Sequence, residues 1–475
     1  MKKNRIIYGT IIVLLMTIVS CAPGIMRKTE NTAMPDTYTG SEDTTNSATI
    51  KWRDFFKDEH LAALIDTALK NNQELNIVMQ EIEILNYEVG ARKGEYLPFV
   101  DVGTAVGAEK VGRYTSQGAN DANTEIMPDK EFPEPLGDFY LGANMSWEID
   151  VWKKLRNAKK AAFTRYLSSI EGRNFLITQL VAEIAENYYE LLALDNQLEI
   201  VNSYIDIQQN ALNTVKQQKL FAKVTELAVK KFEAELLKTK SLQFTIQQSI
   251  VEAENRINFL IGRFPQPIAR SSNQFLDLKW DSIYTGIPSQ LLANRPDIRQ
   301  AELELVASKI DVDVARAAFY PSIRITAGLG YQAFNPKYLI TTPESLLFNL
   351  AGDLVAPVIN RNAIKAAYFT SNAKQTQAVY AYERSILNAH IEVINQLSKI
   401  NNYGSSYALR EQQVEVLTES VTIAGSLFKS ARADYMEVLL TQRDALESKM
   451  ELVETKQEQM HAIVNLYKAL GGGWR

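Results

Sequence analysis

A mainly α-helical chain written twice, carrying two strand hairpins of bilayer-crossing length, is the fold class that three observations predict. The first is internal repetition: at a shift of 223 residues, Asn71, Glu81, Val89, Pro98 and Gly107 fall on Asn294, Glu304, Val312, Pro321 and Gly330. Further along the shift becomes 209, and Leu155, Ala158, Ile261 and Gly262 fall on Ile364, Ala367, Leu470 and Gly471. The second is a pair of long proline-free stretches with apolar residues at four-three spacing, and the third is a pair of glycine-dotted segments in each copy. A repeat of about 200 residues is far longer than a solenoid unit, so the pattern is a duplicated domain. The two registers differ by 14 residues, which places the length change in the Gly/Asn/Pro-rich loop at 108–138.

The chain opens with Lys2, Lys3 and Arg5, followed by the apolar run Ile6 to Val19 and the tetrad Ile18-Val19-Ser20-Cys21. A membrane-spanning helix needs about 20 apolar residues. This shorter run with a basic start fits a secretory signal peptide over residues 1–20. The tetrad resembles a bacterial lipobox, which implies cleavage before Cys21 and acylation of that residue; the competing reading is an uncleaved anchor with an incidental cysteine. Cys21 is the only cysteine, so no internal disulfide forms. Residues 21–50 are polar, with Pro23 and Pro35, and read as a tether of little regular structure.

The first repeat is assigned to residues 51–262. Apolar positions from Leu61 to Leu85 predict helix to about Arg92, interrupted at Asn71-Asn72 and stopped by Pro98. Two short strands follow, about Phe99 to Gly107 and Phe139 to Trp147. Ile177, Val181, Ile184, Tyr188, Leu191, Leu198 and Ile205 then trace a coiled-coil seam, with Asp195 and Asn202 in the empty slots. A helix of ~60 residues at ~1.5 Å per residue reaches ~90 Å, longer than a compact domain buries. A second helix of about 35 to 40 residues ends at Gly262. Residues 263–286, with Pro265, Pro267 and Trp280, form a crossover that joins the stretch near Trp52 to Phe56 in a belt around the helices.

The second repeat, residues 287–475, runs the same course. Its strands are Ile323 to Tyr331 and Leu346 to Leu354, and its seam passes through Val379, Ile386, Val393, Leu397, Ile400, Tyr407, Val414 and Val421. In Ile323 to Tyr331, Ile323, Ile325, Ala327 and Leu329 share a face opposite Arg324, Thr326, Gly328 and Gly330. A tilted transmembrane strand and a soluble hairpin both fit that alternation. Four hairpin strands cannot close a barrel in lipid, because single-chain bacterial barrels start at about eight strands, so closure demands copies of the chain. Polar residues beside the seams, among them Gln208, Gln209, Asn210, Gln217, Gln218, Gln247 and Gln248, suit a water-exposed wall.

Composition excludes several functions. Net charge is −5, and −8 once Lys2, Lys3 and Arg5 leave with the signal; no basic stripe suggests nucleic acid. The three histidines, His60, His390 and His461, are far apart and lack a metal-binding spacing. No phosphate-cradling loop or nucleophile elbow occurs, so neither catalytic residues, a metal nor a cofactor is expected beyond a covalent lipid on Cys21.

The segments "WRDFF", "LAALIDTALKNNQEL", "YLPFV", "SWEIDVWKKLR", "IPSQLLANRPDIRQAE", "FYPSI", "LVAPVINRNAIKAA" and "LYKALGGGW" resemble, in order, the TolC-like outer-membrane factors of tripartite efflux systems, lipoprotein branch. The resemblance implies a homotrimer in the outer membrane of a diderm bacterium, with a 12-stranded β-barrel continued by a 12-helix periplasmic α-barrel. It further implies a periplasmic adaptor and an inner-membrane pump as partners, and passive export of small molecules such as drugs, toxic compounds or metal ions. In that family coiled-coil tips of the second repeat close the periplasmic end with acidic residues. The matching segment here offers Asp434 and Glu437 as gate or adaptor-contact acids and Arg443 as an interhelical partner; ordinary solvated tip residues are the alternative. Many relatives carry Asp where this chain has Leu440, and glycine where it has Ala222 and Ala431. Trp147 and Trp152 fit either an interfacial aromatic belt or packing where strands meet helices. The competing function is a lipid-anchored periplasmic coiled-coil adaptor or scaffold without a barrel, against which the paired hairpin strands in both copies argue.

Overall fold

The computed structural model describes residues 23, 24, 27–38, 44–272, 275–280, 283–357, 359, 361–430 and 432–475. The expected signal peptide, Cys21 and Ala431 lie outside the described residues. In chain order the elements are α1 (Trp52–Phe55), α2 (Glu59–Asn71), α3 (Gln73–Glu95), β1 (Phe99–Glu109), α4 (Ser116–Asp121), β2 (Glu125–Met127), β3 (Lys130–Glu131) and β4 (Leu136–Ile149). They continue as α5 (Lys154–Leu220), α6 (Glu226–Leu260), α7 (Leu291–Asn294), α8 (Pro296–Ala317), β5 (Ser322–Ala333), β6 (Leu346–Val355), α9 (Asn362–Lys429) and α10 (Tyr435–Ala469). The helices run where prolines are absent, and Pro98 and Pro321 stand at the helix-to-strand transitions because their rings bar a continuing helix. Loop 108–138 is more ordered than its composition suggests: it holds α4 and the β2–β3 hairpin, and Arg113 pairs with Glu134 at 2.8 Å.

Two compact units form, and each draws on both repeats. One comprises Glu83–Leu167 and Leu303–Tyr380 with the described residues up to Thr29; the other comprises the described residues of Glu30–Ile82, Ser168–Glu302 and Ala381–Arg475.

The first unit is built around one antiparallel sheet of order β1-β4-β5-β6. The central pair, β4 with β5, takes one strand from each copy, so the two hairpins fuse into a single sheet. Val312, Phe319 and Tyr368 form a small core beside it. The polar tether has no helix or strand over residues 27–38, yet it is strapped to α9. Gln375, fully buried, grips Lys28 from both sides: its Nε2 donates to Lys28 O at 2.8 Å and its Oε1 accepts from Lys28 N at 3.2 Å. Tyr368 donates to Gly24 O, and Arg27 pairs with Asp313.

In the second unit the belt expected around Trp52 to Phe56 and Trp280 packs as a core. Phe55 stacks on Tyr467 with centroids 3.9 Å apart, and Phe275, Trp280 and Ile268 close over α5 and α10. Asp195, the polar break in the α5 seam, is explained by Arg270 of the crossover. That guanidinium takes both Asp195 oxygens at 2.6 and 2.9 Å and Glu254 of α6 at 2.5 Å. Asn202, the second break, accepts from Gln243 at 2.7 Å. Gln208 departs from the exposed wall read for it, because its amide is buried within the helical bundle without a hydrogen-bond partner.

The repeat is visible as one knot tied twice in this unit. Gly262 and Gly471 both have positive φ, +72° and +94°, and a Cβ on either would stand 2.5 Å from a carbonyl oxygen, Asn71 O or Asn294 O. Only glycine tolerates both the backbone and the approach. The next residues of the two copies, Asn72 and Arg295, donate to the ends of the partner helices, at Leu260 O and Ala469 O. Arg295 also takes Asp297 and Glu392, each at 2.7 Å.

With the Arg270, Asp195 and Glu254 side chains 16%, 20% and 19% exposed, removing the cation strands two carboxylates in a confined site. Arg270→Ala is expected to cost about 3 kcal/mol, read as a lowered thermal midpoint by circular dichroism. A midpoint equal to that of the parent protein would contradict the role given to this ion triad.

Candidate functional site

Strand register sorts the sheet into two unlike faces. Side chains alternate along a strand, and the antiparallel pairing sets Val102 beside Ala143, Ala143 beside Leu329 and Leu329 beside Phe348. That face carries no charge on any of the four strands. All six charged strand residues, Asp101, Glu109, Asp138, Glu148, Arg324 and Asp353, fall on the other. Val102, Val106, Phe348 and Leu350 are each at least 75% exposed, a large apolar surface. The strands are 10 to 14 residues long, enough to cross a bilayer at a tilt. No described helix is long and apolar enough to cross a membrane.

The strand ends are pinned by aromatic side chains whose polar handles are satisfied. Trp147 Nε1 donates to Tyr96 O at 3.1 Å, and Trp152 stacks on Tyr320 at 4.7 Å while donating to Pro321 O at 2.8 Å. Asp150 turns the chain from β4 into α5 by accepting from the backbone N–H groups of Leu155 and Arg156. Burial pushes the Asp150 carboxyl up, but the backbone N–H of Arg156, its guanidinium and the N–H of Leu155 outweigh this and hold it below the usual carboxylate range.

The helix tips belong to the second unit, where Val215, Phe232, Phe428 and Val438 pack the α5–α6 and α9–α10 turns into one cluster. Thr225 and Asp434, equivalent at the 209 shift, are the N-caps of α6 and α10. Thr225 bonds Ala228 N, whereas the Asp434 side chain makes no cap bond. Copy one also consumes its charges locally: Lys219 pairs with Glu226 and lowers its pKa by that hydrogen bond, and Lys230 pairs with Glu233. In copy two Asp434 and Glu437 are exposed, with no ion-pair partner among the described residues. Arg443, expected to reach another helix, pairs instead with its neighbour Asp444 at 2.9 Å. Ala222, where many relatives carry glycine, sits at φ +51°, the left-handed conformation that closes helix α5.

The protein-family model described as outer membrane efflux protein matches residues 64–263 and 287–472. The chain belongs to this family. Outer membrane efflux proteins are outer-membrane channel subunits of tripartite efflux systems, and that is the class of this protein. It is 26% identical over 425 residues to the pyoverdine export outer membrane protein OpmQ of Pseudomonas aeruginosa, covering 90% of this chain and 88% of the relative. It is 23% identical to the probable outer membrane lipoprotein SilC of Salmonella typhimurium over the full length of both. A crystal structure of a membrane protein from Pseudomonas aeruginosa superposes with a TM-score of 0.84 at 23% identity, covering 96% of this efflux protein and 98% of that chain.

The structure thus sets Asp434 and Glu437 three residues apart at one tip, leaves Arg443 to its own helix, and adds the two-faced sheet, which single strands hinted at only in Ile323 to Leu329. Ala222→Gly is expected to stabilise the efflux protein by about 1 kcal/mol by relieving the left-handed alanine. Asp434→Asn and Glu437→Gln should stay within about 0.5 kcal/mol of the parent. Thermal melts of the three variants check this, and a destabilised Glu437→Gln would show a structural role for that acid.

Proposed function

We propose that three copies of this chain close one 12-stranded barrel and a 12-helix periplasmic wall, forming a passive export duct for small molecules. The observation that carries the reading is the sheet, with its uncharged outer face and two unpaired edges, β1 and β6. An open edge is not tolerated in hydrocarbon, and four strands per chain fall short of any closed barrel. The helices supply a second reason for association. Leu237, Phe244 and Val251 on α6, and Leu409, Val416 and Ile423 on α9, recur every seventh residue and are exposed in the single chain. Such stripes are coiled-coil seams awaiting neighbours.

In this reading residues 1–20 are the signal peptide, Cys21 carries the lipid, 21–50 is the tether, and repeats 51–262 and 287–475 flank the crossover 263–286. The full-length likeness to a relative named as a probable lipoprotein supports the anchor. The periplasmic end docks on an adaptor that links it to an inner-membrane pump, and the pump chooses the cargo, whether drug, toxic compound or metal ion. Asp434 and Glu437 serve as gate or adaptor-contact acids, because they have no ion-pair partner among the described residues while Lys219 pairs with Glu226 and Lys230 with Glu233 in copy one. Arg443 moves from Asp444 to a neighbouring helix when the tip rearranges. The duct performs no chemistry on its cargo, so the protein acts as a transporter component and not as an enzyme.

Purified protein reconstituted in planar bilayers is expected to give discrete conductance steps and to run as a trimer by mass. A monomer that forms no pores and becomes soluble once its lipid is removed would overturn the reading.

A further inference from the structure

The polar face of the sheet holds a built row as well as scattered charges. Asp101, Asn144, Gly328 and Asn349 stand in register across all four strands. Asn144 Nδ2 donates to Asp101 Oδ2 at 3.5 Å, and its Oδ1 accepts from the Tyr140 hydroxyl at 3.3 Å. Tyr140 reaches that position by lying over Gly142, where any side chain would collide with the phenol. Gly328 lets the two amides close in from either side: a Cβ there would stand only 2.7 Å from Asn349 Oδ1 and 3.1 Å from Asn144 Oδ1, so both oxygens lie over its bare Cα. Two amide oxygens therefore converge above one glycine beside a carboxylate, and Asp101, Asn144 and Asn349 are all exposed on the same face. Asn144 Oδ1 carries only the long bond from Tyr140 and Asn349 Oδ1 has no donor among the described residues, so both can accept further, and the groups they suit are N–H-rich cations.

We propose that this row is a binding step for ammonium-bearing solutes on the channel wall, Asp101 supplying charge and Asn144 and Asn349 supplying directed oxygens. It rests on the barrel reading above, which turns the row into a ring in the duct. Fixed charge alone would attract any cation from any part of the face, since Asp353 and Glu148 lie on it too; directed amide oxygens select the donor geometry of an ammonium group. Neutral substitutions in the row should therefore weaken binding although the charge of the duct is unchanged.

The test is block of single-channel potassium current by spermidine in planar bilayers, with trimer content of each variant checked on native gels. Asp101→Asn, Asn349→Ala and Gly328→Ala, the last pushing the two amide oxygens apart, are each expected to raise the half-blocking concentration about five-fold, which is about 1 kcal/mol at 1.4 kcal/mol per ten-fold. Asp353→Asn, which removes the same charge as Asp101→Asn elsewhere on the face, should move it far less. Parental block in both neutral variants, with equal shifts in Asp101→Asn and Asp353→Asn, would overturn the row as a site and leave only a general negative field. Absence of pores in every form, the parent included, is a different result and would overturn the channel reading together with this one.

Discussion

The unpaired backbone of β1 and β6 is the constraint on which the rest of the structure depends. Each edge presents N–H and C=O groups along 10 or 11 residues, while the strands between them are paired on both sides over most of their length. In water such an edge is a liability. In hydrocarbon each unsatisfied group costs several kcal/mol, which is the ground for the proposal that the edges pair with other copies. The uncharged outer face makes sense only with that closure, because it leaves the sheet no stable place in water as a single chain. The exposed heptad stripes of α6 and α9 repeat the same logic in helical form.

Duplication meets this demand economically, and the knots at Gly262 and Gly471 show how. Both copies end their second long helix by pressing a left-handed glycine against the backbone between two shorter helices, at Asn71 and Asn294. The same geometry is therefore delivered twice in the second unit, and in the first unit β4 of one copy meets β5 of the other in continuous register. Where the copies differ, the differences fall outside this frame. The extra residues of copy one are folded into the α4 and β2–β3 loop. The tip of copy two exchanges the neutral Thr225 and Ala228 for Asp434 and Glu437 and leaves both acids unpaired within the described residues.

Much of this was legible because local rules were strong. Proline-free heptads announced α5 and α9, and Pro98 and Pro321 marked the strand starts to within a residue. The division of the sheet into two faces was harder to see, since Gly103, Ala105, Ala143 and Ala327 blur the alternation of single strands. It emerges only when four strands are aligned and all six charges fall together. Long-range pairings were beyond local reasoning: nothing near Arg270 in sequence announces Asp195 or Glu254, although the polar breaks at Asp195 and Asn202 in an apolar seam were the trace they left. The burial of Gln208 and the local pairing of Arg443 likewise depend on neighbours that the heptad pattern does not name. The strapping of the tether along α9 was hidden for another reason: Gln375 grips the backbone of Lys28, and backbone recognition leaves no signature in composition.

Edge closure is most directly tested by cysteine pairing between β1 and β6 in cells. A Cys21→Ser background leaves no native thiol, and pairs drawn from Val102, Thr104 or Val106 on one edge and Phe348, Leu350 or Leu354 on the other scan the unknown register. The account predicts that one register of pairs gives disulfide-linked dimers and trimers on non-reducing gels, each collapsing to monomer on reduction. Monomer alone at every register, in protein shown to be folded and membrane-bound, would contradict it.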